Sequence, residues 1–155
     1  MLERLSVLAG ATARSRSVRT STPTHLVHAR TCYDHVAGTL GVSLHDALFA
    51  RGWLALSGAG SDGYSVTESG QRHLAEAGVD VDALRTTRRR LAYGCLDWSE
   101  RRPHIGGALG AAMLSMMLEK RWVKRERHSR ALGVTAIGAR ELAIRLGFDA
   151  MPRQS

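Results

Sequence analysis

The sequence predicts a mainly α fold with short β-hairpins, an α+β chain in which one module is written twice. Three observations carry this. The first is an internal repeat: Cys32-Tyr33-Asp34 runs on to Leu40-Gly41, and Cys95-Leu96-Asp97 runs on to Leu109-Gly110. The text that follows also matches. Leu44, Leu48, Trp53 and Leu54 are answered by Met113, Met117, Trp122 and Val123, and Val66-Thr67 and Gly70 by Val134-Thr135 and Gly138. The offset is 63 at the cysteines and 68–69 afterwards, which puts an insertion in the second copy, most simply Glu100 to His104. Repetition of this length governs how every later element is read. The second observation is helical spacing of apolar residues between Thr or Asp caps and glycine stops. The third is two pairs of short β-prone runs split by turn residues. The boundaries that follow are 1–22 for an N-terminal helix remnant and basic linker, 23–80 for the first module and 81–155 for the second.

In chain order, Met1 to Leu8 sets Leu2, Leu5 and Leu8 at helical spacing but is too short to stand alone. Gly10 to Ser21 is a basic linker. Thr22-Pro23 is a helix start, an N-cap followed by proline at the first helical position. Its helix has an apolar face of Leu26, Ala29, Tyr33, Val36, Ala37 and Leu40, and Gly41 ends it. Ser43 to Asp46 resembles a capping box and opens a second helix, with Leu44, Ala47 and Leu48 inward and Gly52 as the stop. Trp53 to Leu56 and Tyr64 to Val66 are strands around the glycine-rich turn Ser57 to Gly63. Thr67 caps a helix that ends at Gly78, and Asp80 caps a short helix leading through Arg88, Arg89 and Arg90. In the second copy a helix with Leu91, Cys95 and Trp98 inward is broken by Pro103. Ala108 to Glu119 follows, with Leu109, Met113, Met116 and Met117 as core. Strands Trp122 to Arg125 and Ala131 to Val134 precede a Thr135-capped helix to Leu146. Helix, helix, hairpin, helix is close to the winged-helix plan, so tandem duplicated winged-helix-like modules are expected.

An apolar fraction of 44% over 155 residues supports a real core. Two cysteines do not make a disulfide framework, no apolar run approaches the length of a membrane span, and the first ten residues are not a signal peptide. A reducing cytoplasm is the expected setting. The net charge of +8 is uneven: +4 over residues 1–31, −5 over 32–84 and +9 over 85–155. A polyanionic partner would therefore meet the second copy and the N-terminal segment.

The phrases Ala29 to Gly38 and Cys95 to His104 resemble the C-terminal region of a subgroup of ArsR-type winged-helix transcription regulators. So do Val66-Thr67-Glu68-Ser69-Gly70 and Val134-Thr135-Ala136-Ile137-Gly138. The resemblance spans nearly all of residues 24–148. It implies transcription regulation, DNA as a partner and a homodimeric parent protein. It also implies a standard DNA-binding winged helix ahead of this region, expected here to be missing or to be a separate chain. Met1 to Leu8 resembles the tail of that domain's last helix.

Four chemistries compete for the side chains. Cys32, His35, Cys95 and His104 make a Cys2His2 set for zinc or another divalent transition metal. Read on helices, only Cys32 and His35 share a face, while Pro103 separates Cys95 from His104, so no cofactor is the first expectation and buried thiols the simpler reading. Tyr33, Asp34, Asp97, Trp98 and Arg101, with Met113, Met116 and Met117, are candidates for lining a small-molecule pocket, and Asp97 and Arg101 stand at pairing distance along a helix. Catalysis finds little support, because there is no phosphate loop, nucleophile elbow or helical His pair. For DNA, Lys124, Arg125, Arg127 and Arg130 crowd a hairpin tip, with Arg88, Arg89 and Arg90 nearby, which suits phosphate contact. Neither second helix opens with Arg, Asn or Gln for base reading.

Overall fold

A computed structural model of the chain describes residues 24–58 and 62–153. The expected N-terminal helix remnant, the basic linker and the Thr22-Pro23 start lie outside the described residues. The first half runs α1 (Thr24–His28), β1 (Arg30–Cys32), β2 (His35–Ala37), α2 (Gly38–Ala50), β3 (Leu54–Leu56), β4 (Tyr64–Val66) and α3 (Glu68–Ala77). The second runs α4 (Val81–Arg85), β5 (Tyr93–Leu96), β6 (Pro103–Gly106), α5 (Gly107–Glu119), β7 (Val123–Arg125), β8 (Leu132–Val134) and α6 (Ala136–Leu146). Consecutive strands pair as four antiparallel hairpins. The fold is α+β, and both halves pass through short helix, hairpin, helix, hairpin, helix.

A hairpin, β1–β2, stands where the long first helix from Thr22 to Gly41 was expected, and β5–β6 stands where the helix ending at Pro103 was expected. The apolar positions at helical spacing belong instead to three short elements. Tyr33, placed on the helix's apolar face, is 90% exposed at the β1–β2 turn and adopts a left-handed backbone, φ 57°. Pro103 sits at the start of β6, where a missing N–H is tolerated. Gly41 does not end a helix, and Ser43 opens none: α2 runs unbroken from Gly38. Gly38 and its counterpart Gly107 have φ of +80° and +83°, a turn from strand into helix that favours glycine. Gly41 and Gly110 lie inside α2 and α5 because the helices are pressed against strands. A Cβ at Gly41 would collide with the Val36 carbonyl and stand 3.2 Å from the Cβ of His104, while one at Gly110 would collide with the Ile105 carbonyl and stand 3.0 Å from the Cβ of His35.

The later elements follow the sequence reading closely. Thr67 and Thr135 each cap a helix by accepting from Gly70 N and Gly138 N, both at 3.0 Å, worth about 1 kcal/mol apiece. Asp80 accepts from Ala83 N, and Gly78 and Gly147 close their helices in the left-handed conformation. The halves are interlocked. Thr31 N donates to Arg130 O and Leu132 N to Ala29 O, while Tyr64 N donates to Ala92 O and Gly94 N to Asp62 O. Each half's first hairpin is thereby bonded to the other half's second. One apolar cluster draws on both halves, with Leu40, Leu48, Leu109, Met117 and Leu142 almost fully buried at its centre. No helix among the described residues is long and apolar enough to cross a membrane.

Candidate metal centre

Crossing the hairpins puts four ligand-type side chains at one point. Cys32 and His35 are cross-strand partners in β1–β2, and Cys95 and His104 are cross-strand partners in β5–β6. The two sulfurs and two ring nitrogens all lie within 4.8 Å of one another. The histidines are buried, at 3% and 1% exposure. A tetrahedral zinc site with ordinary bond lengths separates its nitrogens by about 3.3 Å and its sulfurs by about 3.8 Å, so the cluster is close to metal-binding size.

The aspartates of the repeated Cys-x-Asp phrase orient the rings. His35 Nδ1 lies 3.3 Å from Asp34 Oδ1, and His104 Nδ1 lies 3.0 Å from Asp97 Oδ2. Burial raises both carboxyls, but their hydrogen-bond donors outweigh it and hold each below the usual carboxylate range. Ionised carboxylates accept, so each ring carries its proton on Nδ1 and a lone pair on Nε2. Those Nε2 atoms face each other at 3.0 Å. Neither ring is readily protonated: burial pushes His35 down, and burial with His35 alongside pushes His104 down to about 4. Two opposed lone pairs beside two sulfurs suit an electrophile between them, and a carboxylate that fixes the proton on the far ring nitrogen is the usual support of a metal-binding histidine. Burial first, then the adjacent Cys32, raises the Cys95 thiol to about 11.

Asp97 also joins the centre to the fold. It is 0% exposed and receives Arg30 at 3.0 Å, Gly38 N at 2.6 Å, Ser99 N and Oγ, and Glu100 N besides His104. Gly38 opens α2, whose own preceding residue offers no side-chain cap, so the second half supplies the carboxylate that this helix N-terminus favours. Arg30, 1% exposed, also donates to Leu26 O and Ser99 Oγ and lies 4.0 Å under the Trp98 ring. Nearby, Arg89 pairs with Asp34 at 2.7 Å.

Several candidates fall elsewhere. Asp97 does not pair with the Arg101 side chain; Arg101 is exposed in the β5–β6 turn with φ 55°, and Asp97 takes Arg30 instead. Tyr33 and Trp98 are exposed, whereas Met113, Met116 and Met117 are buried and line a cavity whose walls include neither of them. Lys124, Arg125, Arg127 and Arg130 are exposed on and around the β7–β8 tip. Of the second basic group, Arg88 is exposed, while Arg89 and Arg90 are already paired with Asp34 and Asp62. Sequence reasoning missed Arg30 altogether. It also missed that His104 is the counterpart of His35. Cys32 and His35 are three residues apart and Cys95 and His104 nine, so the second copy's extra residues form the β5–β6 turn ahead of His104.

Over 127 residues, 81% of the chain, the sequence is 39% identical to the uncharacterized HTH-type transcriptional regulator YdfF of Bacillus subtilis (strain 168). The matched part spans about 55% of that relative's length. No protein-family model and no solved structure matches the chain.

Proposed function

We propose that this chain, similar to an HTH-type transcriptional regulator, is the effector-reading part of a DNA-associated regulator of ArsR type. Its effector in this reading is a thiophilic divalent metal, zinc foremost, held by Cys32, His35, Cys95 and His104. The observation that carries this is the pair of Nε2 lone pairs opposed at 3.0 Å with both Nδ1 atoms bonded to carboxylates. A sulfur–nitrogen tetrad suits zinc, and imidazole with thiolate excludes magnesium and calcium as natural occupants. Each half contributes one Cys and one His, so the ion ties the two halves together, as a duplicated winged-helix-like unit with a shared centre would require. The site keeps no carboxylate or open position for catalysis among its four donors, which fits a regulatory role. Chain purified without added chelator should carry about one zinc per chain by elemental analysis, and Cys32→Ser or His104→Ala should lose it. A metal-free wild-type chain that stays metal-free after incubation with zinc sinks this reading.

The basic tip favours a second component, contact with DNA phosphates. Lys124, Arg125, Arg127 and Arg130 are exposed, and none of them has a side-chain ion pair among the described residues. About four phosphate contacts give a log–log salt slope near −4. Replacing Arg125, Arg127 and Arg130 with Ala should weaken binding equally on two unrelated duplexes and flatten that slope in a fluorescence-anisotropy titration. Sequence-selective binding at physiological salt would instead require a base-reading helix in this chain.

A further inference from the structure

A cavity lined by the later turns of the two long helices is unused by anything above. It measures about 560 Å³, within the range of pockets that take a small molecule. Its walls come from both halves: Leu48 of α2, Met113 and Met117 of α5, and the two repeat-related tryptophans, Trp53 and Trp122. Leu48 lies seven residues beyond Gly41, about 10 Å along the helix from the point where His104 packs. Methionines lend the wall an adaptable surface and tryptophans a flat one.

The polar groups are few and set at the mouth. Arg51 lines it and makes no side-chain hydrogen bond or ion pair among the described residues. Arg145 is held at 2.9 Å by Glu141, with its guanidinium 5.7 Å from the Trp122 ring centre. His73 stacks on Trp53 with centroids 4.5 Å apart, and its Nδ1–H donates to Ser69 O at 2.8 Å, which leaves Nε2 as an acceptor. Glu76 is the one acid in the lining. With Arg145 neutralised by Glu141, Arg51 is the arginine of the lining that is free, among the described residues, to take a partner.

We propose that this cavity is a second ligand site, taking a flat aromatic molecule that carries one anionic group, with its ring against Trp53 and Trp122 and its charge on Arg51. The site is independent of the metal, and it gives the module a second input at the far end of the helices that carry the first. An apolar body explains the walls, and a single negative charge explains an arginine at the rim that has no partner among the described residues.

Two probes test it on the intact, zinc-loaded chain. 8-Anilinonaphthalene-1-sulfonate supplies the aromatic body and the anion, and uncharged N-phenyl-1-naphthylamine supplies the same rings without the charge. Fluorescence titration should give one sulfonate bound per chain. Arg51→Ala, a surface change that leaves the core alone, should weaken the sulfonate roughly ten-fold, the worth of a charged hydrogen bond, and leave the neutral probe within about two-fold, since its contacts are unchanged. Ala77→Phe, which fills the cavity from α3, should exclude both probes while circular dichroism and zinc content report an intact fold. No saturable binding of the sulfonate, equal losses of both probes in Arg51→Ala, or unaltered binding in a folded Ala77→Phe chain would each overturn the proposal. Zinc content in these variants keeps the outcome separate from the fate of the metal centre.

Discussion

Replacing Asp97 with Ala is expected to remove about 3–5 kcal/mol of folding stability, the scale of breaking a buried ion pair by deleting one partner. That is a large share of the 5–15 kcal/mol available to a domain. Arg30 would be left charged at 1% exposure with Ser99 Oγ, one carbonyl and the Trp98 ring as its remaining partners. Gly38 N at the start of α2 would lose its acceptor, and His104 would lose the carboxylate that fixes its proton on Nδ1. Urea denaturation at neutral pH measures the loss. The double change Asp97→Leu with Arg30→Met removes both charges and should be clearly less destabilising than Asp97→Ala, because no ion is stranded. A double variant as unstable as the single one would show that the backbone bonds to Asp97, and not its charge pairing, hold this region.

The second large effect is that of the metal on unfolding. An ion that binds the folded chain alone stabilises it by about 4 kcal/mol when present at a thousand times its dissociation constant, equivalent to about 10 °C in melting temperature for a chain of this size. Zinc should raise the melting temperature of the apo chain by that order, and a strong chelator should reverse it. The gain should shrink in acid, since the thiols must give up their protons to ligate. Cys95→Ser should melt at one temperature with or without zinc. Because each half would donate two ligands, variants in either half should respond alike.

The sequence made the second part of each half readable and hid the first. Thr67, Thr135, Gly78 and Gly147 announced their helices because caps and left-handed stops act locally, on the residues that bear them. The stretch from Arg30 to Ala37 was legible only through its partners. Its strands are three residues long, their edges are completed by Arg130, Ala131 and Leu132 a hundred residues away, and its apolar residues happen to fall at helical spacing. Tertiary pairing decided a segment that local pattern assigned to helix. The four candidate ligands were nonetheless present in the sequence as residue types, and so was the doubled Cys-x-Asp phrase. What could not be seen was the cross-strand register, which turns a separation of nine residues between Cys95 and His104 into direct opposition. Arg30 gave no signal, since a lone arginine in a basic stretch is indistinguishable from its solvated neighbours until its burial is known.

In the proposed reading two cysteines and two histidines, one pair from each half, form a single tetrahedral centre. Titration of the apo chain with cobalt(II), followed by visible absorption, tests it most directly, because tetrahedral cobalt has intense ligand-field bands and thiolate ligation adds sulfur-to-metal charge transfer. One equivalent of cobalt should produce both signals with a sharp endpoint, zinc should bleach them, and Cys32→Ser, His35→Ala, Cys95→Ser and His104→Ala should each abolish or distort them. Weak octahedral-type absorption without thiolate charge transfer, or a spectrum indifferent to all four substitutions, would contradict the assignment of this cluster as a metal centre.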